Sequence, residues 1–521
     1  MLRPEKIESA IQMNRDELFR FGTALIFIVG IMLFTIVRTD GGIDGILLVV
    51  AAMIGGYMAM NIGANDVANN VGPAVGSHAI TLTGAIVIAA CFEAGGALVA
   101  GGDVVGTIKN GIIDPDLVAN RDTFIWLMIA ALLAAAVWLN FATALGAPVS
   151  TTHSIVGGVL GAGIAAAGWD IVDWSQVGKI AVSWVISPVL GGLIAAGFLY
   201  IVKRTITYQR DVLASANRMV PVLVAVMAWA FGTYLMLKGV KKLINVGFPM
   251  AMLIGFVLAI GVYLLMRPYI ARLTKNLQND KSSVNDLFTV PLIFAAALLS
   301  FAHGANDVAN AVGPLAGINE AILEGGVSTR ATIPLWVMAV GAIGISLGLA
   351  LYGPKLIRTV GSEITELDKM RAYCIAMAAA LTVIVASQLG RPVSSTHIAV
   401  GGVFGVGFLR EYIKSNYARM LDDIRHFHKD NDAEEVEAFL QRFEAADVTS
   451  KGEMLRDMKM EAATTRLLGK RERKGLGRVH RVELVKRNLL LRIAAAWVIT
   501  VPFAAMLAAI FYFMIRGMLL P

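Results

Sequence analysis

Residues 63–73 read Gly63-Ala64-Asn65-Asp66-Val67-Ala68-Asn69-Asn70-Val71-Gly72-Pro73, and residues 304–314 say the same again: Gly304-Ala305-Asn306-Asp307-Val308-Ala309-Asn310-Ala311-Val312-Gly313-Pro314. Each copy is followed by a second motif. The first is Pro148-Val149-Ser150-Thr151-Thr152-His153 with Gly157 and Gly158; the other is Pro392-Val393-Ser394-Ser395-Thr396-His397 with Gly401 and Gly402. Two polar, glycine-rich motifs in one order, duplicated inside an apolar chain, imply a membrane protein built from two structural repeats.

The membrane assignment rests on composition. The chain is 57% hydrophobic and only 16% charged, with mean hydropathy +0.68, against about 25% charged in soluble domains. Charge-free runs cover 21–37, 46–65, 67–92, 180–202, 219–237, 243–266, 287–306, 331–354, 372–390, 392–409 and 493–515. A crossing needs roughly 20 apolar residues. The stretch 123–169 also lacks formal charge and is too long for one crossing. Gly146 and Pro148 in its middle suggest two segments joined by a turn at membrane depth. The expected fold is an all-α polytopic membrane protein with about 10–13 membrane segments.

The first twenty residues mix charges without an early apolar core, so no cleavable signal peptide is expected. Cys91 and Cys374 sit in apolar runs without metal or redox spacing, which suggests packing roles. A net charge of +7 would suggest nucleic acid in a soluble protein. Here positive-inside topology explains it, and no nucleic-acid partner is expected. Basic residues gather at Lys203, Arg204, Arg210 and Arg218, at Arg267, Arg272, Lys275 and Lys281, and between Lys470 and Arg487. These belong on the cytoplasmic side of an inner, cytoplasmic membrane. Lys238, Lys241 and Lys242 do not fit that scheme.

The chain divides into an N-terminal segment (1–45), a first repeat (46–202), a middle section (203–286), a second repeat (287–409), a charged insertion (410–489) and a final membrane helix (490–521). In the insertion, Val436, Phe439, Leu440 and Phe443 mark an amphipathic helix. Its basic end suits anionic membrane lipids. A homodimer is one candidate assembly.

An ionisable group within a bilayer costs at least roughly 2.5–3.5 kcal/mol, so Asp66 and Asp307 need a compensating partner. Carboxamides flank both: Asn65, Asn69 and Asn70 around one, Asn306 and Asn310 around the other. A lone Asn in a membrane helix is ordinarily helix–helix glue. The whole constellation, repeated, instead suits a small hard cation held by carboxylate, amide and backbone oxygens. Gly63, Gly72 and Pro73 are expected to break the helix and free those carbonyls. In the second motif, Pro148 and Pro392 stand where helices would begin. Ser150, Thr151 and Thr152, and likewise Ser394, Ser395 and Thr396, place hydroxyls beside the unpaired N–H groups of a helix start. One copy reads equally well as an ordinary N-cap. Two copies, each following a cation-type motif, favour an anion site. Cations at Asp66 and Asp307 would lower the electrostatic cost of the anion, the thermodynamic basis of symport. Glu93 is a candidate accessory cation or proton site, or a partner for Lys109. His153 and His397 suit local hydrogen bonds better than proton transfer, and Thr107 and Thr359 can flank the site.

At these residues the chain resembles the inorganic phosphate transporter (PiT) family of secondary carriers, over roughly 46–202 and 287–515. The resemblance implies two inverted repeats with re-entrant helical hairpins and no catalytic activity or prosthetic cofactor. It implies import of inorganic phosphate by symport with sodium, or with protons. It assigns Asp66, Asn69, Asp307 and Asn310 to the cation and the Ser/Thr triplets to phosphate. The Asn65-Asp66 form is more like sodium-coupled members. Arg391 departs from the first copy, which has Ala147 there; a fixed positive charge would either tighten anion binding or reach away to the surface. Sulfate is the alternative oxyanion, and an intramembrane Ser–His–Asp hydrolase or a passive channel are the alternatives from other classes.

Overall fold

The computed structural model describes residues 4–39, 41–145, 149–239, 246–324, 333–363, 367–427 and 487–519. Gly146, Pro148, Lys241, Lys242, the 436–443 helix and the basic cluster up to Lys486 lie outside them. The described chain is helical throughout, with one isolated bridge between Ile113 and Val172. Hydrocarbon offers no partner for a free amide, so the backbone satisfies itself within each helix. Helix starts are set by side-chain caps: Thr81, Asn120, Asp173, Asp211 and Asp368 each accept a backbone N–H from the first turn.

In order these helices are α1 (Pro4–Ile36), α2 (Gly42–Asn65), α3 (Val67–Gly76), α4 (Leu82–Ala100), α5 (Gly102–Asn110), α6 (Arg121–Ala144), α7 (Thr151–Ala167) and α8 (Trp174–Val202). There follow α9 (Val212–Lys238), α10 (Phe248–Thr274), α11 (Lys281–Leu287), α12 (Thr289–Asp307), α13 (Ala309–Glu324), α14 (Leu335–Glu363), α15 (Lys369–Gln388), α16 (Ser395–Phe427) and α17 (Arg487–Leu519). Eleven stretches among the described residues are long and apolar enough to cross a membrane. The chain is a multi-pass helical membrane protein.

The expected helix breaks are milder than the motif suggests. Gly42–Gly76 and Thr289–Leu323 each run as one 35-residue span, about 52 Å at 1.5 Å per residue. Asp66 keeps right-handed helical angles (φ −82°, ψ −37°), and the Asn69 N–H bonds the Asp66 carbonyl at 3.0 Å. The irregularity is therefore confined to Asp66 in the first copy and to Val308 in the second, and Pro73 lies inside α3. Gly63 serves a different purpose: a Cβ there would sit 1.9 Å from the Ile345 carbonyl oxygen. Gly304 makes the matching approach, 2.2 Å from the Glu93 carbonyl oxygen.

These contacts belong to a crosswise pattern. The first motif helix α2 packs on α14, and its counterpart α12 packs on α4. Helix α7 packs on α17, and α16 packs on α8. Each helix that carries a motif in one copy therefore leans on the helix that follows the same motif in the other copy. Small residues let backbones meet at every crossing. A Cβ would fall 1.9 Å from the Met60 carbonyl at Gly348, 1.9 Å from Phe301 at Gly96, 2.0 Å from Ala505 at Gly161 and 2.0 Å from Gly192 at Gly405. The motif glycines Gly157 and Gly401 do the same against Val501 and Pro188. Helices α1 and α10 carry exposed apolar faces at the periphery, where lipid would lie, whereas α12 and α13 are almost wholly buried.

Two charge expectations and one packing expectation change. Lys109 pairs with Glu320 on α13 and not with Glu93. Lys238 pairs with Asp103, which neutralises a residue that had spoiled the positive-inside pattern. Of the two cysteines only Cys374 is packed inside; Cys91 lies on the exposed face of α4.

Gly348→Ala is expected to cost at least about 1–3 kcal/mol by overpacking α14 on α2. Gly197→Ala, with nothing within 4 Å of the new Cβ, should be neutral. Melting temperature and monodispersity of the purified protein distinguish them; equal behaviour would mean the crossings are looser than described.

Candidate ion- and anion-binding site

The four motifs, far apart in sequence, meet at one buried point. Asp66, Asp307, Asn69, Asn310, Thr151, Thr152, Ser395 and Thr396 are each at most 2% exposed. The Ser/Thr motifs form helix starts as expected, with one shift. Ser150 and Ser394 are the caps, their Oγ atoms accepting the His153 and His397 N–H at 3.2 and 3.3 Å. Pro392 thus precedes the cap instead of opening the helix. The starts of α7 and α16 touch: the Thr152 hydroxyl donates to the Val393 carbonyl at 3.1 Å, and the His153 and His397 rings lie 4.5 Å apart. Two positive dipole ends therefore face one small volume.

Hydrogen bonds lock acids, amides and hydroxyls across the two copies. The Thr151 hydroxyl donates to Asp66 Oδ2 at 2.7 Å and lies 3.4 Å from Asp307 Oδ2. The Thr396 hydroxyl donates to Asp66 Oδ1 at 3.0 Å. Asn69 Nδ2 donates to Thr396 at 2.8 Å, and Asn310 Nδ2 donates to Thr151 and Thr152 at 3.1 and 3.2 Å. So Asn69, from the first copy, serves the second hydroxyl motif, and Asn310 serves the first. Asp307 Oδ1, Asn310 Oδ1 and Ser395 Oγ are buried without a hydrogen-bond partner. Buried oxygens are rarely left in that condition, and these are suited to a cation or a polar ligand.

Two of the expected cation ligands have other work. Asn306 donates to Ser387 Oγ and the Arg391 carbonyl at 3.0 and 3.1 Å, and accepts the Val393 N–H at 3.3 Å. Asn65 donates to Thr143 at 2.9 Å. Both anchor the approach to a Ser/Thr helix. The Arg391 guanidinium donates to Gln176 Oε1 at 3.4 Å. Thr107 donates to the Gly390 carbonyl at 2.7 Å, holding the loop that leads to the second Ser/Thr motif. The Thr359 side chain lies outside the described set.

Glu93 belongs to a chain that the motif search missed. Its Oε1 accepts from Asn70 at 2.8 Å and its Oε2 lies 2.7 Å from His303 Nδ1; His303 Nε2 lies 3.1 Å from Asp307 Oδ2. Carboxylate and imidazole atoms of Asp66, His303 and Asp307 lie within 4.8 Å of one another. The overlooked signal was a histidine inside the charge-free run 287–306, four residues before Asp307 and so on its helix face. The chain is built on one side only. By the matching glycine contacts, Gly63 on Ile345 and Gly304 on Glu93, the counterparts of Glu93, His303 and Asn70 are Ile345, Ile62 and Ala311, all buried and apolar.

A hydrolytic relay does not form. The Ser150 hydroxyl caps its helix, while the His153 ring lies 3.8 Å from Trp184 and the His397 ring 3.5 Å from Trp497.

Comparison with known proteins agrees with this geometry. The phosphate transporter family model matches residues 62–508. The chain is 50% identical over 517 residues to a protein named as a candidate phosphate permease in Helicobacter pylori strain J99, covering 98% of this chain and 97% of that one. A similarly named protein of Pyrococcus abyssi is 37% identical over 372 residues, 70% of this chain and 89% of its own. A solved structure of a sodium-dependent phosphate transporter superposes with a TM-score of 0.73 at 30% identity, covering 91% of this chain and 100% of that one. With its paired motifs drawn into one buried site between crosswise helices, this chain belongs to the phosphate transporter family, and it is a carrier, not an enzyme.

Proposed function

We propose that the protein imports inorganic phosphate across the cytoplasmic membrane by symport with sodium. The observation that carries this reading is the Thr151 hydroxyl, which touches both Asp66 and Asp307 at the start of α7. Two carboxylates this close repel by on the order of 4 kcal/mol at an effective dielectric of 20. Hydrogen bonds worth roughly 1 kcal/mol each do not offset that. Cations at the acids do, and the oxygens of Asp307 and Asn310 left without partners are hard ligands of the sodium type. Phosphate then takes the space toward which the α7 and α16 starts point, where Ser/Thr hydroxyls and N–H groups act as donors.

The likeness to a sodium-dependent phosphate transporter supports sodium over protons. In this reading 46–202 and 287–409 are the moving repeats, in inverted orientation, and alternating access rocks them about the crosswise glycine contacts. Asn306, whose amide oxygen accepts the Val393 N–H, shapes the site without touching the ion.

Vesicle uptake of labelled phosphate, with sodium and proton gradients varied independently, tests the whole reading. Sodium-driven accumulation inhibited by arsenate but not sulfate is expected; accumulation driven by protons alone would reassign the ion. Asp66→Asn and Asp307→Asn should each abolish that uptake while the protein still reaches the membrane. Retained uptake in both would remove the acids from the cation site. Glu93→Leu should cost about 3–5 kcal/mol by stripping His303 of its buried partner, and Glu93→Gln less, since its amide oxygen still accepts. A melting curve unchanged by Glu93→Leu would show that the buried chain contributes no stability.

A further inference from the structure

Resting on the sodium-and-phosphate reading above, we propose that Thr151 and Thr396 are the coupling switch. Their hydroxyl protons are held by Asp66, and sodium arriving at Asp66 hands them over to phosphate. The two acids are not in equivalent condition. Both Asp66 oxygens are engaged, Oδ1 by Thr396 at 3.0 Å and Oδ2 by Thr151 at 2.7 Å. Asp307 Oδ1 and, one helical turn on, Asn310 Oδ1 have no partner, and Asp307 Oδ2 lies 3.1 Å from His303 Nε2 and 3.4 Å from the Thr151 hydroxyl. A cation therefore enters at Asp307 and Asn310 without breaking any hydrogen bond. At Asp66 it must compete with two.

That competition is the useful event. A hydroxyl has one proton to give, and while Thr151 and Thr396 give theirs to a carboxylate, neither can give it to a phosphate oxygen. Each hydroxyl oxygen also accepts an amide N–H, Thr151 from Asn310 and Thr396 from Asn69, so it is held in place while its proton is free to turn. Sodium on the Asp66 oxygens draws off their negative charge, weakens them as acceptors and lets both protons turn toward the starts of α7 and α16. Sodium binding at Asp66 creates the donors that phosphate requires, and phosphate by linkage tightens sodium. No proton leaves either threonine, and no bond other than hydrogen bonds is exchanged. Thr151 comes from the first copy and Thr396 from the second, so the handover also requires the two copies to be in register.

The test uses the full-length protein in nanodiscs, with equilibrium binding of ²²Na⁺ and ³²P-phosphate to wild type, Thr396→Val, Thr151→Val and Thr396→Ser. In wild type, saturating sodium should lower the phosphate Kd by roughly 5–150-fold, the usual range of such couplings. Thr396→Val removes a donor with which sodium must compete. It should tighten sodium binding measured without phosphate, and lose most of the sodium-dependent gain in phosphate affinity. Thr396→Ser should behave as wild type. Should valine prevent folding, Thr396→Ala, which needs less space, carries the same expectation. Sodium affinity unchanged or weakened in the Thr396 and Thr151 variants, or sodium enhancement of phosphate binding retained in them, would overturn the handover. Wild type that binds phosphate without any sodium effect would instead defeat the symport reading on which it rests.

Discussion

Two carboxylates share one hydroxyl at the centre of this molecule, and most of the structure can be derived from the need to tolerate that. Asp66 and Asp307 are both buried, Thr151 lies between them, and nothing in the surrounding hydrocarbon can screen their repulsion. A carboxylate pair in low dielectric persists only with donors, fixed dipoles or counter-ions close by. The helix starts of α7 and α16 contribute the dipoles, Thr151 and Thr396 occupy carboxylate lone pairs, His303 Nε2 stands 3.1 Å from Asp307, and Asn69 and Asn310 hold the two threonine oxygens in place. Counter-ions are the remaining element, and the proposed symport would supply them as sodium.

The packing follows from the same demand. To bring residues near 66, 151, 307 and 396 to one point, four helices must converge from both copies. They converge closely enough that carbonyl oxygens stand where side chains would be: Gly63 against Ile345, Gly304 against Glu93, Gly161 against Ala505, Gly405 against Gly192. Backbone contact at that range draws on packing and weak polar contacts, since lipid gives helices no hydrophobic reason to associate. The crosswise pairing of α2 with α14 and α12 with α4 makes neither half complete without the other. A site that is assembled from both halves is sensitive to their relative motion.

One difference between the two copies of the motifs is informative. Asn70, Glu93 and His303 form a polar chain beside Asp307, while Ala311, Ile345 and Ile62 stand at the matching places beside Asp66. Three buried polar groups replaced together by three apolar ones indicate a unit, since each alone would be an unsatisfied cost. The result is that Asp307 is steadied by a neighbour on its own helix, while Asp66 depends on the threonines.

Much of this was legible in the sequence because membranes impose strong local rules. Charge-free runs near the bilayer thickness mark helices, and a buried acid stands out against them, so the polytopic all-α fold, the two acids and the Ser/Thr helix starts could be read from residue order and spacing. Pairings could not. That Asn69 serves Thr396 and Asn310 serves Thr151, that Lys109 belongs to Glu320 and not Glu93, that Asn306 holds a loop and that Arg391 turns to Gln176 all depend on which helix lies beside which. Residue order specifies what each helix offers on its faces; only the packed bundle, where shape and close backbone contact select partners hundreds of residues apart, decides what meets it.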